Sequence, residues 1–247
     1  MNDPGGSMFL SLIVPTLREA DNLRKLVPEI CGLLQPLLPS DFEILVVDDD
    51  SRDGTEELLA GMARDGLPVR CVIRKGERGL SSAVIRGFRE AGSECFIVMD
   101  ADLSHPPELL PRIVEGLKAG RDLVLPSRYR RGGGAEQWPW TRRMISLGAT
   151  LPARLLVPVS DPMSGYFGLR RSVVESAEMD PIGYKILLEI LVKGRYDRKN
   201  TMEIPYVFRN RHLGTSKLNV SISREYLVHW FRLLAYKFSR GSKRGKS

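Results

Sequence analysis

Cys95-Phe96-Ile97-Val98-Met99-Asp100-Ala101-Asp102 is the stretch on which the reading of this chain turns. Five consecutive apolar residues bounded by polar ones predict a short strand buried on both faces. Side chains alternate along extended backbone, so the two carboxylates that close the run point the same way. Such a pair can share a divalent cation with substrate phosphates, because Mg²⁺ takes hard oxygen ligands and only one or two protein carboxylates. It can equally be an acidic strand end kept in water before the turn Ser104-His105-Pro106-Pro107.

Working outward, strands and helices alternate on both sides of this run. Phe9–Val14, Phe42–Val47, Val69–Ile73 and Asp122–Pro126 read as buried strands. Helices are predicted over Asp21–Leu37, from Thr55 as N-cap, over Ser81–Ala91 and over Pro107–Ala119. Repeated units of this length predict an α/β, Rossmann-like fold with a mostly parallel central sheet flanked by helices. Beyond Ser127 the pattern is less regular. A glycine loop at 131–134 precedes a helix over Trp138–Val157 interrupted by Pro152, strands at Gly165–Leu169 and Thr201–Phe208, and a helix at Tyr184–Val192.

The organisation expected is a disordered N-terminus over 1–8, one domain over 9–220, and a C-terminal amphipathic helix with a basic tail over 221–247. Composition agrees: 43% hydrophobic and 27% charged residues over 247 positions describe an ordinary globule. No run approaches the roughly 18 apolar residues of a membrane span, and the N-terminus does not read as a signal peptide. Cys31, Cys71 and Cys95 are too few and scattered for a disulfide framework, and Cys71 and Cys95, inside apolar strand candidates, read as core fillers in a reducing compartment.

Charge is unevenly placed. Residues 222–247 hold seven basic residues against one acid, Glu225, and so account for +6 of the net +7. Their apolar stripe of Leu227, Trp230, Phe231, Leu234 and Phe238 suits a helix lying on an anionic membrane surface. The same stripe can instead pack on the body, with Lys243-Arg244-Gly245-Lys246 as a frayed end. A near-neutral body without a nucleic-acid motif argues against a nucleic-acid partner.

Four polar clusters follow apolar runs: Pro15–Glu19, Asp48–Ser51, Asp100–Asp102 and Ser127–Tyr129. In a parallel sheet they meet at the carboxyl edge, where open α/β folds bind ligands. Acids there can hold a base, a ribose or a metal, and arginines can grip phosphate. Gly79-Leu80-Ser81-Ser82 reads as a turn with an N-cap or as a phosphate contact at a helix start. His105 reads as a turn residue, and Trp138-Pro139-Trp140 as either an apolar-ligand contact or a loop staple.

Val14-Pro15-Thr16, Val47-Asp48-Asp49-Asp50-Ser51-Arg52-Asp53-Gly54-Thr55 and Met99–Pro107 resemble the inverting family-two glycosyltransferases of GT-A fold. Ser127-Arg128-Tyr129, Asp161-Pro162-Met163-Ser164-Gly165, Gly183-Tyr184-Lys185 and Gly214-Thr215-Ser216-Lys217-Leu218 narrow the resemblance to the dolichyl- and polyprenyl-phosphate mannosyltransferases. It implies transfer of mannose from GDP-mannose to a polyprenyl or dolichyl phosphate, on the cytoplasmic face of a membrane, with Mg²⁺ or Mn²⁺. A UDP-glucose donor, a non-catalytic nucleotide-sugar-binding subunit and a membrane-protein partner remain alternatives within it.

The resemblance also implies roles. Pro15, Glu19, Val47 and Asp49 cradle the nucleoside; Asp100, Ala101 and Asp102 meet the diphosphate; Asp100, Asp102 and Ser104 surround the metal. Arg128, Lys185, Arg211 and Lys217 neutralise the phosphates, and Arg142, with Arg143, meets the acceptor phosphate. Asp102, Arg128 and Arg142 are the catalytic candidates. The chain departs from the family in Leu17-Arg18-Glu19, where Tyr-Asn-Glu is usual, in Asp50, and in Ser104, which stands for a glutamine.

Overall fold

The computed structural model describes residues 8–136, 138–180, 182–209 and 220–244, the last segment with side chains over 224–239. In chain order the elements are β1 (Leu10–Thr16), α1 (Ala20–Leu34), β2 (Phe42–Asp48), α2 (Thr55–Arg64), β3 (Val69–Ile73), α3 (Leu80–Glu90) and β4 (Cys95–Val98). They continue with α4 (Leu110–Lys118), β5 (Leu123–Ser127), β6 (Gly134–Ala135), α5 (Trp140–Leu156), β7 (Phe167–Arg170) and α6 (Arg171–Val174). The last are α7 (Ile186–Lys193), β8 (Thr201–Pro205), β9 (Val207–Phe208) and α8 (Val220–Arg244).

Seven strands form one sheet in the order β3-β2-β1-β4-β7-β5-β8. Six run the same way; β7 is inserted antiparallel between β4 and β5. Register follows burial. Leu10 to Thr16 pair with Phe42 to Asp48, and Leu10 to Ile13 with Cys95 to Val98, so apolar rows align across the middle of the sheet. Alternation then divides each strand between two cores. Leu12, Val14, Ile44, Val46 and Ile97 face α1, α2 and α4. Ile13, Leu45, Val47, Phe96 and Val98 face α3, α7 and parts of α5 and α8. Gly87 lets α3 approach β1, since a Cβ there would lie 2.5 Å from Ile13 Cγ2.

Several expected elements change in detail. The Pro107–Ala119 helix opens as a 3-10 turn, Pro107–Leu109. Thr201–Phe208 divides at Tyr206, and β9 pairs with β6 in a small second sheet. The helix expected to break at Pro152 runs through it, and the Pro152 carbonyl accepts a hydrogen bond from Trp230 Nε1 at 2.9 Å.

α8 corrects the stripe read from the sequence. Tyr226, Trp230, Leu233 and Leu234 pack on the body, whereas Leu227, Phe231 and Phe238 face outward. The predicted stripe straddles the boundary between the two faces. His229 is also turned inward and is 3% exposed. No described helix is long and apolar enough to cross a membrane.

Candidate active site

Because β1, β2, β4 and β5 are co-directional, the four polar clusters gather at one sheet edge. The backbone there is unusual. Arg18, Asp50, Arg52 and Leu103 are non-glycine residues with φ of 53–60°, and all lie in these loops. Non-glycine residues rarely adopt this left-handed region, and such strain concentrates at functional sites.

The β1 and β2 loops are tied together. Asp48 is buried and accepts hydrogen bonds from Ser51 N at 2.8 Å and from the Ser51 hydroxyl, and Ser51 Oγ accepts from Arg18 N at 2.7 Å. Pro15 and Val47 lie at buried strand positions, and Glu19 precedes α1, where its carboxylate accepts from Asn22 Nδ2. Asp49 receives Arg74 Nε at 2.7 Å and the Gly79 amide at 2.8 Å. Arg74 is itself 2% exposed and also donates to Ser82 Oγ at 2.9 Å. Asp49 therefore fixes the loop after β3, and Gly79 and Ser82 serve that network. Arg74 escaped the sequence reading, although it too follows an apolar strand.

The β4 loop is built around its two acids. Asp102 is 8% exposed, and its Oδ1 accepts from Ser104 N at 3.0 Å and Ser104 Oγ at 2.5 Å. Ser104 is fully buried, so its hydroxyl orients the Asp102 carboxylate. His105 is 2% exposed, and its Nδ1 accepts the Asp100 amide at 3.1 Å, which fixes the backbone at the first acid. The ring stacks on Tyr166 at 5.1 Å and meets Tyr206 and Phe208 edge-on. His105 is thus more than a turn residue, and the buried aromatic set behind it had no local signal in the sequence. Gly165 stands opposite, where a Cβ would come within 3.4 Å of Asp100 Oδ2 and 3.3 Å of His105 Cε1.

After β5, Arg128 forms a two-pronged pair with the buried Asp161, Nε to Oδ2 at 2.7 Å and Nη2 to Oδ1 at 2.8 Å. Burial disfavours the Arg128 charge, but the Asp161 hydrogen bond and charge outweigh it and raise the pKa. Trp138 lies between two guanidiniums, with Arg142 4.4 Å and Arg128 5.6 Å from its ring centroid. Trp140 is instead 74% exposed, so the two tryptophans have different surroundings. Lys185, at the start of α7, is half-buried. Burial and then the Arg128 charge push its pKa down to about 8, against the pull of Asp161 and Asp100.

The structure thus brings Asp100, Arg128, Asp161 and Lys185 into one electrostatic neighbourhood. Asp102 lies on the same loop as Asp100, and Arg142 is joined to Arg128 through Trp138. Arg211 and Lys217 lie outside the described residues. Among the described residues no three His, Cys, Asp or Glu side chains gather to hold a metal. The hard oxygens of Asp100 and Asp102, with Gly165 leaving side-chain space opposite Asp100, suit an Mg²⁺-like ion completed by substrate phosphates.

Residues 11–177 match the family described as Glycosyl transferase family 2. The chain is 46% identical over 234 residues to a dolichol-phosphate mannosyltransferase of Pyrococcus furiosus, covering 93% of this chain and 65% of that protein. A Saccharomyces cerevisiae protein of the same description is 39% identical, over 94% of this chain and 89% of its own length. A polyprenol monophosphomannose synthase of Mycolicibacterium smegmatis is 35% identical, over 87% and 82%. In fold, the chain resembles Mycobacterium tuberculosis glucosyl-3-phosphoglycerate synthase in complex with Mn²⁺, UDP-glucose and phosphoglyceric acid. That likeness has a TM-score of 0.68 at 20% identity over 94% of this chain and 85% of that one.

Proposed function

This chain belongs to glycosyl transferase family 2, and we propose that it transfers mannose from GDP-mannose to the phosphate of a dolichyl or polyprenyl lipid. The relatives' descriptions support the substrates. The observation that carries the reading is the meeting of acids and cations at one sheet edge beside an exposed apolar helix. That helix, α5, bears Arg142 on its first turn and leaves Trp140, Met144, Ile145, Leu151 and Leu155 in solvent. Leu227, Phe231 and Phe238 of the adjoining α8 extend the apolar surface. A lipid acceptor held at a bilayer can present its phosphate to the edge while these side chains enter the interface, on the cytoplasmic face.

The chemistry follows from the acceptor. A phosphate monoester has a second pKa of about 6 and is largely dianionic near neutral pH, so it attacks without a general base. In this mechanism an acceptor phosphate oxygen bonds to the anomeric carbon in line, with inversion, as the bond from that carbon to the nucleoside diphosphate breaks and the nucleoside diphosphate leaves. Pro15, Glu19 and Val47 border the nucleoside, and Asp49 acts by holding the Arg74 loop. Arg128, held by Asp161, and Lys185 lower the repulsion between two polyanions, with Arg142 on the acceptor side. Asp100 and Asp102, the latter oriented by Ser104, hold Mg²⁺ or Mn²⁺, which when bound neutralises charge developing on the diphosphate.

The test is incubation with polyprenyl phosphate, Mg²⁺ or Mn²⁺, and either labelled GDP-mannose or labelled UDP-glucose. Label passing into organic solvent from GDP-mannose alone is the expected result. Label passing only from UDP-glucose reassigns the donor, and none from either rejects the reading.

A further inference from the structure

Away from the catalytic edge, a cavity of about 610 Å³ opens where α5 and α7 end, a size that accommodates small ligands. Arg142 and Leu156 are separated by 14 positions of one helix, about 21 Å along its axis. The cavity is therefore separate from the acceptor side of the active site.

Its lining is amphipathic. Leu156 and Leu191 contribute apolar wall, and Arg195, Arg198 and Lys237 contribute three cations, with no carboxylate among the described lining residues. Two groups are held in place: Lys237 Nζ donates to Leu156 O at 2.7 Å, and Tyr196 OH to Leu191 O at 3.0 Å. Arg195 and Arg198 are exposed and make no side-chain hydrogen bond or ion pair among the described residues. Asp197, between them in sequence, accepts from Lys199 N at 2.9 Å and does not line the cavity. Guanidinium groups match phosphate oxygens in geometry as well as charge.

We propose that this cavity binds the phosphate of an anionic glycerophospholipid, as a docking site distinct from the acceptor site. A lipid is favoured over free phosphate by what adjoins it. Leu155, next to Leu156, is 77% exposed, and Phe238, next to Lys237, is 72% exposed. A phosphate seated among the three cations would leave its acyl chains beside these side chains, continuous with the outward faces of α5 and α8. The apolar wall suits the glycerol ester region.

The test is titration of the wild-type chain with dihexanoyl-phosphatidylglycerol, dihexanoyl-phosphatidylcholine or inorganic phosphate, read from the amide resonances of Gly194, Arg195 and Tyr196. Saturable shifts with phosphatidylglycerol and much weaker ones with the other two are expected. Equal saturation by inorganic phosphate would overturn the lipid assignment, and no shift with any probe would overturn the site. An Arg195→Ala/Arg198→Ala variant, its fold checked by thermal melting, should bind phosphatidylglycerol roughly 25-fold more weakly, at about fivefold per arginine. Unchanged binding in that variant would likewise sink the proposal. No sugar nucleotide enters the measurement, so its failure leaves the proposed transfer standing, and absence of transfer leaves this site standing.

Discussion

Asp102 combines near-complete burial with two hydrogen bonds from Ser104, so its carboxylate is held in one orientation. Asp102→Asn keeps the shape and removes the charge. If that carboxylate shares an ion with the diphosphate, turnover should fall by roughly 10²-fold or more, measured as mannosyl transfer at saturating donor. Lys185 gives a second residue-scale prediction. With its pKa lowered to about 8, it is charged below that pH and neutral above it. The KM for a phosphate-bearing substrate should therefore rise as pH passes upward through about 8. Lys185→Arg, which stays charged, should flatten this limb of the KM profile, and an unchanged limb would assign it to another group.

At the scale of elements, α8 is clamped to the body by polar contacts as well as by its apolar face. Tyr226 OH donates to Ala149 O at 2.6 Å, and the buried His229 Nδ1 accepts from Ile182 N at 3.3 Å. His229→Leu leaves that amide without its acceptor and should cost about 1–3 kcal/mol, read as a lower midpoint in chemical denaturation. Burial lowers the His229 pKa, partly opposed by Glu189. The imidazole is therefore neutral in the fold and takes up a proton more readily when unfolded. This contribution to stability is full above the unfolded value of about 6.5 and is lost as pH falls through it. The variant should show less acid destabilisation than the wild type between about pH 7 and 5.

Over the whole molecule, α5 and α8 pack against each other, and both leave apolar side chains exposed. Burying one such side chain is worth about 1.5–3 kcal/mol, and a carboxylate in its place forfeits that and repels an anionic surface. Phe231→Asp combined with Leu155→Asp should abolish flotation with vesicles containing phosphatidylglycerol. Transfer to a short-chain acceptor in detergent should persist, because neither side chain belongs to the sheet edge. Flotation equal to the wild type would show that the chain meets the bilayer elsewhere.

The alternation of apolar runs with helical periods was enough to foretell the sheet and the edge at which Asp100 and Asp102 stand, because burial of parallel strands leaves a local mark on every residue. The resemblance in Val14–Thr16, Val47–Thr55 and Met99–Pro107 pointed to the family because it resides in short contiguous strings. What the chain could not disclose were partnerships made across it. Asp49 with Arg74, Arg128 with Asp161, and Asp100 with Gly165 unite segments from separate loops, and no period in the sequence records which groups meet. The facing of α8 belongs with them. A helical wheel places Leu227, Trp230 and Phe231 on one stripe, but packing against α5 and α7 turns Trp230 inward and leaves the other two outside. Only the tertiary structure decides that boundary, because it depends on the shape of the surface the helix meets.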